Sequence, residues 1–123
     1  MFTGIVQATG KITAINPSSA TPESSLALTI DPGSLDLSDV NLGDSIAVDG
    51  VCLTVKSLAN QLIHFDVSEE TLRCTQGLNR VGKTINLEKA LRLADRLGGH
   101  LVSGHIDAIG IVTQCAPAGE SVI

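Results

Sequence analysis

The residues best able to do chemistry sit in four places. Cys52 and Thr54 lie two apart in an apolar run, which puts a thiol and a hydroxyl on one strand face and turns Leu53 to the other. Ser68 precedes Glu69, Glu70 and Thr71; a serine cap followed by two acids opens a helical turn, whose first amides suit a carbonyl or anionic oxygen. His100 and His105 stand among glycines without a third partner at a metal-binding spacing, so proton transfer near neutral pH suits them better than a metal. Gly4, in the first apolar stretch, lets a ligand approach the backbone closely. No glycine-rich phosphate loop is present, so the pattern favours a flat heterocycle with polar edges. Plainer readings stand beside these. A free cysteine such as Cys52 is commonly a small buried apolar residue, Thr54 is a strand former, and the Ser68 turn can be a helix cap alone. His64 reads as a surface strand residue.

Composition narrows the partners. The chain has 123 residues, enough for one domain with its own core, and 43% of them are hydrophobic. No apolar run reaches the length of a membrane span, and the start lacks a basic stretch followed by an apolar one, so a soluble cytoplasmic protein is expected. Cys52, Cys74 and Cys115 have neither CxxC nor Cys/His spacing, which argues against a zinc site or a disulfide framework. Eight basic and 13 acidic residues leave a net charge of −5, a poor basis for binding nucleic acid. Phe2 and Phe65 are the only aromatics, so aliphatic side chains and backbone groups must hold a flat ligand.

Positioning such groups takes a compact set of strands. Residues 4–15 alternate between a small apolar face and a mostly polar one, as a long strand does. Residues 16–25 hold Pro17, Pro22 and several serines, an exposed loop, and Leu26–Ile30 returns as a strand. After the Asp31-Pro32-Gly33 turn, residues 34–41 have room for a short helical turn. Asp49-Gly50 between the apolar runs 45–48 and 52–55 signals a tight hairpin. Asn60-Gln61 turns the chain into strand 62–67, the Ser68 turn runs to Arg73, and residues 84–87 form the last strand. Six short strands with little helix predict an all-β fold, a six-stranded antiparallel barrel. Its mouth would gather residues 4–6, 52–54 and 66–71. Leu87, Ala90, Leu91, Ala94 and Leu97 keep helical spacing, which predicts a helix over 88–97 ended by Gly98-Gly99.

The chain also repeats itself. With Phe2 laid on Val102, Thr3 meets Ser103, Gly4 meets Gly104, Val6 meets Ile106, Ala8 meets Ala108 and Gly10 meets Gly110. The expected organisation is a barrel over 1–97 ending in a helical linker, then the first strand region of a truncated second copy over 98–123.

Four segments in register carry a resemblance: Met1–Val6, Asp49–Val55, Phe65–Leu72 and Gly98–Ile106 resemble riboflavin synthase. The resemblance implies a Greek-key barrel, duplicated in the family, and dismutation of two 6,7-dimethyl-8-ribityllumazine molecules. One gives a four-carbon unit to the other, forming riboflavin and 5-amino-6-(D-ribitylamino)uracil, with no cofactor and no metal. It implies a trimer for the full-length protein, and the isolated barrel is expected to pair with itself as a dimer. Ligand contacts carried over are Gly4, Ile5, Val6, Cys52, Leu53, Thr54, Asp66, Val67, Ser68, Glu69, Glu70, Thr71, Gly104, His105 and Ile106. Ser45, Cys52, His100 and His105 match positions near the reacting atoms, with His105 as the proton-handling group. The alternative is a non-catalytic protein that binds lumazine or flavin. With one complete barrel, the chain is expected to bind ligand and turn over poorly.

Overall fold

The fold is taken from a computed structural model that describes residues 1–18 and 25–123. Apolar alternation decides which side of each strand becomes core. In β1 (Ala8–Pro17), Ala8, Gly10 and Ile12 are buried and Thr9, Lys11 and Thr13 are exposed. Leu28 and Ile30 of β2 (Leu26–Asp31) face the same interior, as do Ile46 and Val48 of β3 (Ser45–Val48). They are joined by Leu53 and Val55 of β4 (Val51–Ala59), by Ile63, Phe65 and Val67 of β5 (Leu62–Val67), and by Ile85 and Leu87 of β6 (Thr84–Lys89). Each large side chain fully withdrawn from water contributes roughly 1.5–3 kcal/mol.

All pairings are antiparallel, and the order β1-β2-β5-β4-β3-β6 closes on itself through β1 and β6. With β2 beside β5 at the far side of the β3–β4–β5 meander, this is a Greek key. The expected all-β, six-stranded antiparallel barrel is what forms. Gly10 is small for a reason: a Cβ there would lie 2.5 Å from the Asp31 carbonyl oxygen and 2.7 Å from Leu87 Cδ1.

Two turns set the β3–β4 and β4–β5 registers. Asp49 and Gly50 have φ of 49° and 82°, and Asn60 and Gln61 have 52° and 62°, the double left-handed geometry of two-residue hairpins. Asp49 is held there from β6, since its carboxylate accepts from the Asn86 amide at 2.7 Å and pairs with Lys83 Nζ at 2.6 Å.

Three expectations need correction. The first strand starts at Ala8 rather than at residue 4, because the Thr3 and Gly4 amides donate to a side chain instead of a neighbouring strand. Residues 34–41 form turns, with Val40 N–H donating to Leu37 O at 3.1 Å, and no helix. Residues 88–97 are not helical either. β6 runs through Lys89, Ala90 N–H donates to Ser45 O at 3.1 Å, and Leu91 N–H donates to Met1 O at 2.9 Å. These amides serve neighbouring segments, so no i to i−4 ladder starts, and Leu93 is left fully exposed. The one helix among the described residues is α1 (Glu69–Cys74), capped by Ser68, whose Oγ accepts from Thr71 N–H at 3.2 Å. Beyond the barrel, Phe2 and Val102 form an isolated bridge, and β7 (Pro117–Ala118) pairs with β8 (Ser121–Val122). The loop expected over 16–25 lies mostly outside the described residues.

Candidate functional site

The site grows from a row on the outer face of the barrel. Cys52 of β4 pairs with Ala47 of β3, and Ala47 pairs with Glu88 of β6. Outward positions on a barrel are normally wet, yet Ala47 is 5% exposed and Glu88 only 6%. Two segments cover them. The first is the N-terminus, residues 1–5. Glu88 Oε1 accepts from Thr3 N–H at 2.6 Å and from Thr3 Oγ at 2.7 Å, and Oε2 accepts from Gly4 N–H at 3.1 Å. The second is a strap over residues 98–106. Phe2 and Val102 exchange both backbone hydrogen bonds, at 2.7 and 3.0 Å, and His100 N–H donates to Thr3 O at 2.9 Å. Phe2 is buried outside the barrel core, between these layers.

The strap ends on β4. Cys52 N–H donates to Gly104 O at 2.9 Å, and Gly104, with φ of 77°, packs so closely that a Cβ would sit 2.9 Å from Cys52 Cβ and 3.0 Å from Phe2 Cε2. This contact walls a cleft of about 180 Å³ between β4, α1 and the strap, lined by Val51, Cys52, Glu70, Thr71, Cys74, Thr75, Gly104, His105 and Ile106. A second hollow of about 260 Å³ adjoins it along Val51, Cys74, Thr75 and Ile106. The lining carries two thiols, two hydroxyls, a carboxylate and an imidazole beside the aliphatic side chains of Val51 and Ile106.

The carboxylate is ionised under most conditions. Arg73, with a guanidinium nitrogen 2.7 Å from Glu70, holds that acid below its ordinary range. The hydrogen bond from Cys74 Sγ to Glu70 Oε1 at 3.4 Å pushes the thiol up, with burial adding to it. Among the described residues, no group of three or more His, Cys, Asp or Glu is arranged to hold a metal ion.

The structure gathers Cys52, Glu70, Thr71, Gly104, His105 and Ile106 in this cleft and places the other candidates elsewhere. Leu53 and Val67 point into the barrel core. Thr54 is on the outward face of β4, as expected, but away from the cleft lining. Asp66 is held by Lys56 Nζ at 2.6 Å and by Ser18 Oγ at 2.8 Å, Ser68 is committed to capping α1, and Glu69 opens that helix. Gly4 is clamped by Glu88, while Ile5 and Val6 are half exposed and outside the cleft lining. Ser45 and Ile5 line a different hollow of about 470 Å³, whose charges largely answer one another: Lys89 pairs with Asp39 at 2.6 Å and Arg92 with Asp95 at 2.9 Å. That hollow is larger, and four of its charged side chains, Asp39, Lys89, Arg92 and Asp95, are paired with one another. His100 is exposed and is tied in through its main chain.

Residues 3–90 match the family described as the lumazine binding domain. The chain belongs to that family. This lumazine-binding domain is 43% identical over 123 residues to riboflavin synthase of Photobacterium phosphoreum, covering 99% of this chain and 55% of that one. It is 40% identical over 124 residues to riboflavin synthase of Bacillus subtilis (strain 168), with the same coverage. The chain thus spans about half the length of these relatives. Among solved structures, LumP complexed with riboflavin matches with a TM-score of 0.76 at 26% identity, covering 97% of this chain and 62% of LumP. LumP complexed with 6,7-dimethyl-8-(1'-D-ribityl) lumazine matches with a TM-score of 0.77 at 26% identity, covering 98% and 64%.

Sequence reading of this lumazine-binding domain missed Glu88, Phe2, Val51, Cys74 and Thr75. Glu88 falls between Leu87 and Lys89, where alternation assigns it outward, and only the covering segments reveal it as buried. Cys74, one helical turn after Glu70, was legible as a helix-face neighbour of that acid.

Proposed function

We propose that the cleft between β4, α1 and the strap binds 6,7-dimethyl-8-ribityllumazine and riboflavin, and that the chain is the N-terminal lumazine-binding unit of a riboflavin synthase. The observation that carries this reading is the contact of Gly104 on Cys52, which brings His105 and Ile106 from the end of the chain to the rim formed by Glu70 and Thr71. Aliphatic side chains of Val51 and Ile106 with polar side chains around them fit a flat pteridine whose polar atoms lie on its perimeter. In this reading residues 1–97 are one ligand-binding barrel and residues 98–123 open a second. The matched local geometry supports it: Thr3 Oγ accepts from Ile5 N–H at 3.1 Å and Ser103 Oγ from His105 N–H at 3.2 Å, with Gly4 and Gly104 at φ of 82° and 77°. Gly4, Ile5 and Val6, which are outside the cleft lining, then serve a homologous site on a partner barrel, in a cytoplasmic trimer of the full protein.

The reaction is the transfer of a four-carbon unit between two lumazines, yielding riboflavin and 5-amino-6-(D-ribitylamino)uracil. The lumazine C7 methyl loses a proton readily because the ring delocalises the resulting charge. His105, exposed at the cleft rim, accepts or orients that proton. Cys52 and, from a second site, Ser45 supply polar contacts or transient nucleophilic help. Stacking two rings in register supplies much of the acceleration, on the order of 7–11 kcal/mol in well-oriented reactions. The second reading, a non-catalytic ligand carrier, is favoured by the likeness to LumP along nearly the whole chain. Fluorescence titration of the 123-residue chain with the lumazine and with riboflavin, followed by assay for riboflavin formation, separates the readings. Binding with little turnover is expected; no binding of either ligand overturns the ligand site, and full turnover by this chain alone overturns the need for a second barrel.

A further inference from the structure

Glu88 is the one acidic side chain buried among the described residues, and no step described above uses it. Its two oxygens take three donors, Thr3 N–H, Thr3 Oγ–H and Gly4 N–H, at 2.6–3.1 Å. Thr3 Oγ in turn accepts from Ile5 N–H, so the carboxylate anchors a short polar chain along residues 3–5. Hydrogen bonds to a charged acceptor are the strong ones, and an N-terminal segment has few other means of being held.

What this segment holds is the strap. Phe2 exchanges two hydrogen bonds with Val102, and Thr3 O accepts from His100 N–H. Two residues beyond Val102, Gly104 O receives the Cys52 amide and closes the cleft. Glu88 and Cys52 also flank Ala47 in one cross-strand row, so the anchor and the closed edge stand two strands apart, roughly 10 Å. We propose that Glu88 is a positioning residue for the ligand cleft: it fixes residues 3–5, which through the Phe2–Val102 pair hold Gly104, His105 and Ile106 against β4. It is not among the residues that line this cleft. The affinity part of the claim rests on the ligand reading given above; the positional part does not.

The test combines two readouts on the 123-residue chain: amide hydrogen exchange at Cys52, and affinity for 6,7-dimethyl-8-ribityllumazine by fluorescence. Glu88→Gln keeps the size but loses the charge and one acceptor. It is expected to speed Cys52 exchange while the β2–β5 ladder amides keep their protection, and to weaken the lumazine about tenfold. Thr3→Val attacks the same link from its other end and should act in the same direction but less. The double variant should be no weaker than Glu88→Gln alone, because the two side chains act as one unit. Glu88→Asp should recover part of the loss. Unchanged Cys52 exchange in Glu88→Gln, or multiplied effects in the double variant, would overturn the proposal. If Glu88→Gln loses ladder protection as well, Thr3→Val decides: selective opening at Cys52 supports the anchor, and wild-type exchange there refutes it. A wild-type chain that ignores the lumazine defeats the ligand reading, while the exchange results still judge Glu88.

Discussion

Cys74 is set apart from the other two cysteines by its neighbour Glu70. The thiol donates to that carboxylate at 3.4 Å, an interaction that stabilises the protonated sulfur and keeps the thiolate scarce. Replacing Glu70 with Gln removes the negative charge, so the thiol returns toward its ordinary value. Alkylation of Cys74 at pH 8, followed peptide by peptide in a mass spectrometer, should quicken by roughly two- to threefold, with Cys115 unaffected. Equal rates in the two proteins would show that the contact does not govern the sulfur. The chemistry at this scale was partly legible beforehand. Cys52, Glu70 and Thr71 were picked from their place on the chain and Gly104–Ile106 through the family resemblance, and they share the cleft. Leu53, Val67 and Asp66 were picked with them, because adjacency in sequence does not tell inward from outward on a strand until the register is known. Leu53 and Val67 fill the core and Asp66 pairs with Lys56.

At the scale of elements, local signals were reliable where they fixed backbone geometry. Asp49-Gly50 and Asn60-Gln61 demanded tight turns, and both form them with positive φ. Ser68 demanded a cap and makes one. The signal failed over 88–97, where apolar spacing imitated a helix. The backbone amides there answer to Ser45 and Met1, partners distant in sequence that no local pattern announces. The strap is likewise an element without regular structure, and Gly104 is its critical point. Gly104→Ala would place a methyl 2.9 Å from Cys52 Cβ in a left-handed conformation that costs about 1–2 kcal/mol for other residues. Lumazine affinity should fall about tenfold or more, while the thermal midpoint of the barrel moves little. An alanine variant binding as tightly as the parent would mean that the strap does not shape the cleft.

For the molecule as a whole, closure of six strands was readable from alternation and turn spacing, whereas the covering of its outer face was not. Stability against acid is also a property of the whole. Asp36, Asp39, Asp66, Glu70 and Asp95 are all held below their ordinary values by hydrogen bonds or cationic neighbours. For Asp66 the principal cause is the Lys56 ammonium at 2.6 Å, opposed by partial burial and aided by Ser18. A depressed carboxylate stabilises the fold above its unfolded value, and that contribution disappears as pH falls through the folded one, here below about pH 4. The pair is partly exposed, so Asp66→Asn should cost less than about 1 kcal/mol at pH 7. Its denaturation curve should approach that of the parent as pH is lowered toward 2. A constant gap between the two curves down to that pH would exclude an ionic origin.

The bridge between Phe2 and Val102 orders events during biosynthesis. The ring of strands has all its members once Lys89 leaves the ribosome, but Phe2 must wait for residue 102 to appear before it finds its mate. Until then the Phe2 main chain lacks the partner that it has in the folded protein. The nascent chain can therefore complete its hydrophobic interior before the strap closes against β4.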